Sequence, residues 1–326
     1  MNSIKITHKA GRHCASTGIS DLLRFHGHHL SEAMCFGIGE GLGIWYLSPS
    51  GTTPSRMLHV RTANLEEKFF KRIGYPFSWT QFNEPEKSEN HLCSMLDRGT
   101  PALVRTDIYD LPYYNTNTHF PGHIIVVWGY DKNKKVFHVT DTEREEVQAV
   151  PFHNMQKARF HKGAFIHLNG DVFAPEHIDV PDRLSDLVKT AIIENSREIS
   201  NASTDYAGLN ALYKMKMEMP EWGKIDDWKW IARFIYQTIE KRGTGGSGFR
   251  LMYYDFLKEA AEFLPEISQA GLDQRMREAS VAWRNFAMTL KDASEEKSPV
   301  FSESIKKYNT VIAIETAYHK EVMRLI

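Results

Sequence analysis

Hydrophobic and polar positions change rhythm several times before residue 175 and then settle into one period to the end of the chain. Residues 14–26 place Ile19, Leu22, Leu23 and His26 on one side at three- and four-residue spacing, which predicts a helix. Gly27 is its expected stop, because the left-handed backbone that ends many helices strains every side chain but that of glycine. Ser31 then reads as the cap of a second short helix. Helical spacing returns at 65–73 and 88–96, with strands predicted at 77–81 and 102–106. Residues 124–130 and 135–140 are β-branched, apolar runs joined by the polar Asp131-Lys132-Asn133-Lys134, which predicts a β-hairpin ending at Asp141.

Beyond that point helices are expected at 183–199, 226–241, 251–263, 272–290 and 302–325. The stripes Trp228, Ile231, Ile235, Ile239 and Ala279, Trp283, Phe286, Leu290 have the spacing of helix-bundle core. The change of pattern predicts an α+β domain over 1–175, with an antiparallel sheet, followed by an all-helical domain over 176–326.

Composition narrows the function classes. With 42% hydrophobic and 12% aromatic residues the chain has enough apolar surface to fold throughout. Forty basic against 41 acidic residues leave a net charge of −1, without the positive field that nucleic acid or an anionic membrane attracts. Neither polymer is an expected partner. No basic segment with an apolar run opens the chain and no long apolar stretch occurs, so a cytoplasmic protein is expected. The three cysteines, Cys14, Cys35 and Cys93, include no CxxC pair, which argues for individual reactivity rather than a disulfide framework. The 15 histidines show no HExxH or comparable spacing, so no metal site is expected.

Cys14 stands directly before the first predicted helix, where unpaired amides and the positive end of the dipole favour a thiolate. The same helix start offers backbone N–H groups to a developing oxyanion. His123 heads the first hairpin strand and Asp141 ends the second, so antiparallel pairing brings them together. A thiolate at a helix start with its base on a distant hairpin and an orienting carboxylate is the papain-like arrangement. Cys35 and Cys93 fall inside apolar or helical patterns and read as packing residues. His8, six residues before Cys14, is the candidate oxyanion donor, with an exposed surface role as its alternative. Asp107, Tyr109, Tyr113 and Tyr114 form a polar aromatic loop that is a candidate lining for an acceptor pocket, with tyrosines that pack a loop and keep their hydroxyls in water as the equal alternative.

The chain resembles the butirosin biosynthesis protein H family, whose N-terminal domain is similar to bacteriocin-processing cysteine peptidases. The resemblance rests on His13-Cys14 with Leu22-Leu23, on Leu30-Ser31-Glu32-Ala33 through Phe36-Gly37-Ile38-Gly39, and on Gly122-His123 through Gly129-Tyr130-Asp131. The second half resembles the helical domain fused to it, through the run from Lys241-Arg242-Gly243 to Gly248-Phe249-Arg250. This implies an acyltransferase in antibiotic biosynthesis that takes an acyl or aminoacyl group from the phosphopantetheine thioester of an acyl carrier protein and delivers it to a small-molecule amine. Cys14 would be the acylated nucleophile, His123 the base and Asp141 the orienting group; no bound cofactor is implied beyond the carrier's phosphopantetheine. The helical domain would cover the cleft and exclude water. Arg242, Gly243, Gly245, Gly246 and Arg250 become candidate substrate contacts, with an interhelical loop as the alternative from spacing alone. A cysteine peptidase or amidase with the same triad, and a non-catalytic binding protein, are the competing readings. A homo-oligomer stays open.

Overall fold

The computed structural model describes residues 4–163 and 166–324. Along the chain run α1 (Cys14–Phe25), α2 (Glu32–Ile38), β1 (Leu42–Leu47), β2 (Met57–Arg61), α3 (Leu65–Arg72), α4 (Pro85–Asp97), β3 (Ala102–Thr106), β4 (His123–Asp131), β5 (Val136–Asp141), β6 (Arg144–Pro151), α5 (Phe152–Arg159) and β7 (Val172–Phe173). The remainder is helical: α6 (Leu184–Ser200), α7 (Gly208–Glu218), α8 (Trp228–Glu240), α9 (Arg250–Ala260), α10 (Glu266–Gln269), α11 (Leu272–Glu295) and α12 (Ser302–Val322). The chain is therefore α+β, with a helical C-terminal region. Contacts divide it into two compact units: residues up to Cys35 with Ile73–Pro181, and Phe36–Arg72 with Asp182 onward.

In the first unit five strands form an antiparallel sheet in the order β6-β5-β4-β3-β7. The central strand β4 buries Ile124, Ile125, Val126, Val127 and Trp128 almost completely. At about 1.5–3 kcal/mol per large apolar side chain, that strand anchors the unit. The β4–β5 turn closes because Asp131 Oδ1 accepts the Asn133 and Lys134 N–H groups at 2.9 and 3.0 Å. α1 packs against β4 and β5. It ends where Gly27 takes φ of +88°. Ser31 Oγ accepts the Met34 N–H at 3.0 Å at the start of α2.

The expected strand at 77–81 does not form. Only Thr80 bridges to Val172, while Phe77 turns its ring onto Phe173 at 4.6 Å. Its apolar residues serve side-chain packing at the short β7 edge instead of a ladder.

In the second unit α11 packs on α8, α9 and α12. Ile231, Ile235 and Ile239 from α8 and Ala279, Trp283, Phe286 and Leu290 from α11 are buried, as core stripes should be, while Trp228 at the start of α8 is only half-buried. The unit also holds the antiparallel β1–β2 pair, against which α7 and α8 lie. Residues 36–72 thus group with the helices rather than with the larger sheet, because β1 and β2 find their packing there. Among the described residues no helix is long and apolar enough to cross a membrane.

Candidate active site

Register brings His123 and Asp141 together. Val126 pairs with Thr140, so one further step sets Asp141 opposite Ile125, two residues from His123 and on the same face. His123 Nε2 donates to Asp141 Oδ1 and Oδ2 at 2.8 and 2.9 Å. Both side chains are buried, at 7% and 1% exposure.

Cys14 reaches them through the segment ahead of α1. Gly11 N–H donates to Thr142 O at 2.5 Å, fastening that segment beside the end of β5. A side chain at residue 11 would meet Thr17 Oγ1 at 2.1 Å, so only glycine permits this approach. Glu32 Oε1 accepts the Arg12 and His13 N–H groups at 2.8 and 2.7 Å, which fixes the backbone leading into Cys14. His13 caps α1 by accepting the Ser16 N–H on its ring. Cys14 is then the first residue of α1, half-buried, with its thiol hydrogen-bonded to His123. Since Nε2 is committed to Asp141, Nδ1 is the ring nitrogen left for the sulfur.

Burial works against a charged imidazole, but the Asp141 carboxylate and the hydrogen bonds to Asp141 and Cys14 outweigh it and push His123 up to about 10. Burial likewise opposes the Asp141 charge. His123, the Tyr113 hydroxyl and the Thr142 N–H together hold it below the usual carboxylate range.

Two of the loop tyrosines join this network directly. Tyr113 Oη donates to Asp141 Oδ2 at 2.7 Å, and Tyr114 Oη stands 3.1 Å from His123 Nε2. Arg144 lies over both rings, at 4.9 and 5.2 Å, and donates to the Tyr113 carbonyl at 3.0 Å. Arg144 and Thr142 follow Asp141 so closely that their positions are explained by the strand end, but no pattern in the sequence marks them as site residues.

The other candidates go elsewhere. His8 puts Nδ1 2.5 Å from Asp21 Oδ2 and Nε2 2.8 Å from Arg144 O, so neither nitrogen is left for an oxyanion. It acts as a strap between α1 and the β5–β6 turn. Arg250 is fully buried, pairs bidentately with Glu315 and donates to Val60 O and Gly248 O, which removes it from any phosphate or carboxylate ligand. Arg242 binds Gln237 Oε1 at 2.9 Å and lies over Phe234. Gly243, Gly245 and Gly246 take φ of +65°, +62° and +85°, giving the tight backbone that links α8 to α9.

Asp107 and Tyr109 belong to a second cluster. Asp107 Oδ2 faces His119 Nδ1 at 2.6 Å and His161 Nδ1 at 2.9 Å, and Tyr109 stacks on His119 with centroids 4.1 Å apart. Among the described residues Asp107, His119 and His161 are the one group whose donor atoms could share a metal ion, all lying within 4.8 Å of one another.

Residues 13–142 match the family described as butirosin biosynthesis protein H, N-terminal, and residues 153–322 match a domain of unknown function, DUF4872. The chain belongs to the butirosin biosynthesis protein H family. No curated protein matches it. The family takes its name from butirosin biosynthesis, a natural-product pathway, and its N-terminal match runs from His13 to Thr142, so it starts beside Cys14 and closes just past Asp141.

Proposed function

We propose that the chain is a cysteine-dependent acyltransferase of natural-product assembly, built on a papain-like site. The observation that carries this reading is His123, hydrogen-bonded to the Cys14 thiol on one side and 2.8 Å from the Asp141 carboxylate on the other. An imidazole that binds its proton so tightly leaves the sulfur as thiolate, the nucleophilic form. Cys14 Sγ attacks the carbonyl of an acyl thioester carried on the phosphopantetheine of an acyl carrier protein. The carbon–sulfur bond to the carrier breaks, and the departing thiolate takes the His123 proton. An amine then attacks the Cys14 thioester, gives its proton to His123, and leaves as the amide. Asp141 stabilises the imidazolium and fixes its tautomer throughout. No metal or nucleotide is required, because a thioester is already activated.

Intact-mass analysis of the full chain mixed with acyl-pantetheine and acyl-carrier thioesters tests this. One acyl adduct is expected, discharged on adding amines and absent from Cys14→Ala; turnover in Cys14→Ala falls at least about a thousandfold. An adduct that persists in Cys14→Ala would remove Cys14 from the mechanism. Peptide or amide cleavage without transfer to amine would reassign the same triad to a hydrolase.

A further inference from the structure

The cluster beside the site has the composition of a metal centre. Asp107 directly follows β3, where its N–H donates to Ala158 O at 2.8 Å and so ties this point to the end of α5. His161 lies just past α5, and His119 just before β4, whose first residue pairs with Thr106. Three chain segments therefore deliver a carboxylate and two imidazoles to one point.

The carboxylate is fully buried, yet among the described residues it has no lysine or arginine partner; its charge faces two imidazoles. Its other oxygen is fixed by backbone, Oδ1 accepting the Phe120 and Tyr109 N–H groups at 2.7 and 3.2 Å. That leaves Oδ2 oriented as a ligand and supported from behind, as metal-binding carboxylates are. Tyr109 holds the His119 ring by stacking.

We propose that Asp107 Oδ2, His119 Nδ1 and His161 Nδ1 bind a divalent transition-metal ion of the zinc class, which clamps shut the loop bearing Tyr113 and Tyr114. Two imidazoles and one carboxylate suit zinc, cobalt or copper rather than magnesium or calcium, which take oxygen shells. Arms of about 2.05 Å in a tetrahedral site set donors about 3.3 Å apart. The present separations of 2.6 and 2.9 Å thus need to open by roughly 0.5 Å, and the half-exposed His119 ring has room to do so. Protons that bridge Nδ1 to Oδ2 leave as the ion enters. Because the loop between residues 107 and 119 also supplies the hydroxyls at Asp141 and His123, closing its two ends steadies those contacts.

The test is metal binding itself, and its outcome is independent of acyl transfer. Chelator-stripped full-length protein in a Cys14→Ala background, which removes the competing thiolate, is titrated with cobalt(II) followed by visible absorption, and with zinc(II) against a chromophoric chelator. One equivalent is expected to bind with tetrahedral-type cobalt bands, and affinity is expected to fall at least tenfold in His119→Ala and in His161→Ala. His119 is exposed enough for the fold to survive its loss, which circular dichroism checks. Absence of saturable one-to-one binding overturns the site. So does binding of equal strength in both histidine variants, which would place the ion on other residues.

Discussion

Each unit of the molecule buries an ionic network, and the two differ in where they stop. In the second unit Arg250 and Glu315 are 0% and 1% exposed. Glu315 also accepts Trp283 Nε1–H at 2.7 Å and has His319 3.4 Å away, while the spare guanidinium N–H groups go to backbone carbonyls. That network closes on itself. In the first unit Asp141 is as deeply buried and as fully hydrogen-bonded, but the chain of contacts runs through His123 to a half-buried sulfur. Burial of charge alone therefore does not separate the two networks; what separates them is that one ends on a half-buried sulfur.

The largest expected effects separate the two. Asp141→Asn should lower acyl transfer by about a thousand- to ten-thousandfold, because it removes the charge and orientation that His123 depends on. Glu315→Ala should instead cost about 3–5 kcal/mol of stability by stranding a buried guanidinium, with catalysis per folded molecule nearly unchanged. Chemical denaturation beside single-turnover rates checks both. A stability loss in Asp141→Asn as large as that of Glu315→Ala, with little loss of rate, would erase the distinction.

Proton linkage sharpens it further, at smaller scale. His123 is raised to about 10, so its contribution to stability is complete below about pH 6.5, the unfolded value, and drains away as pH climbs toward 10. Glu315 is lowered: burial opposes its charge, but Arg250 wins, so its contribution is present above about pH 4.3 and lost as pH falls below that. Thermal midpoints measured between about pH 2 and pH 10 should show both limbs. Asp141→Asn should flatten the alkaline one, since Asp141 is the main source of the His123 shift, and Glu315→Gln should flatten the acidic one. An alkaline limb unchanged in Asp141→Asn would assign it to other groups.

The sequence revealed most where a feature is local. The hairpin, the first helix with its glycine stop and the long helices all show their period within one short window, and Cys14, His123 and Asp141 sit at the ends of such elements. β6 is illegible for a physical reason: an edge strand reading Arg-Glu-Glu-Val-Gln-Ala-Val-Pro buries only Val150 fully and so lacks an apolar alternation. β1 and β2 owe their place in the second unit to long-range packing that no window contains. The same limit hid the pairing of His8 with Asp21, the burial of Arg250 against Glu315, and the approach of His119 and His161 to Asp107. Their partners lie from 12 to 65 residues away. Arg250 is the instructive error, since an arginine beside glycines looks the same in sequence whether it awaits a phosphate or a buried glutamate.

The smallest predicted effect probes how far the open network extends. Tyr113→Phe keeps the ring and its contact with Arg144 but deletes the hydroxyl that reaches Asp141 Oδ2 at 2.7 Å. Asp141 retains His123, the Thr142 N–H at 2.7 Å and the Thr142 hydroxyl at 3.1 Å, so the carboxylate stays solvated by the protein. A single hydrogen bond to a charged acceptor contributes about 1.5–3 kcal/mol when lost outright, and redundancy here should cut that to about 1 kcal/mol. A fall in transfer rate of about five- to tenfold is expected, together with a rise in the pH at which Asp141 protonates and hence an upward shift of the acid limb of the rate profile. A loss as deep as that of Asp141→Asn would mean that the tyrosine loop is not a support for the triad but an indispensable part of it, and that the boundary between the reactive network and its scaffold lies one residue further out than the hairpin alone suggests.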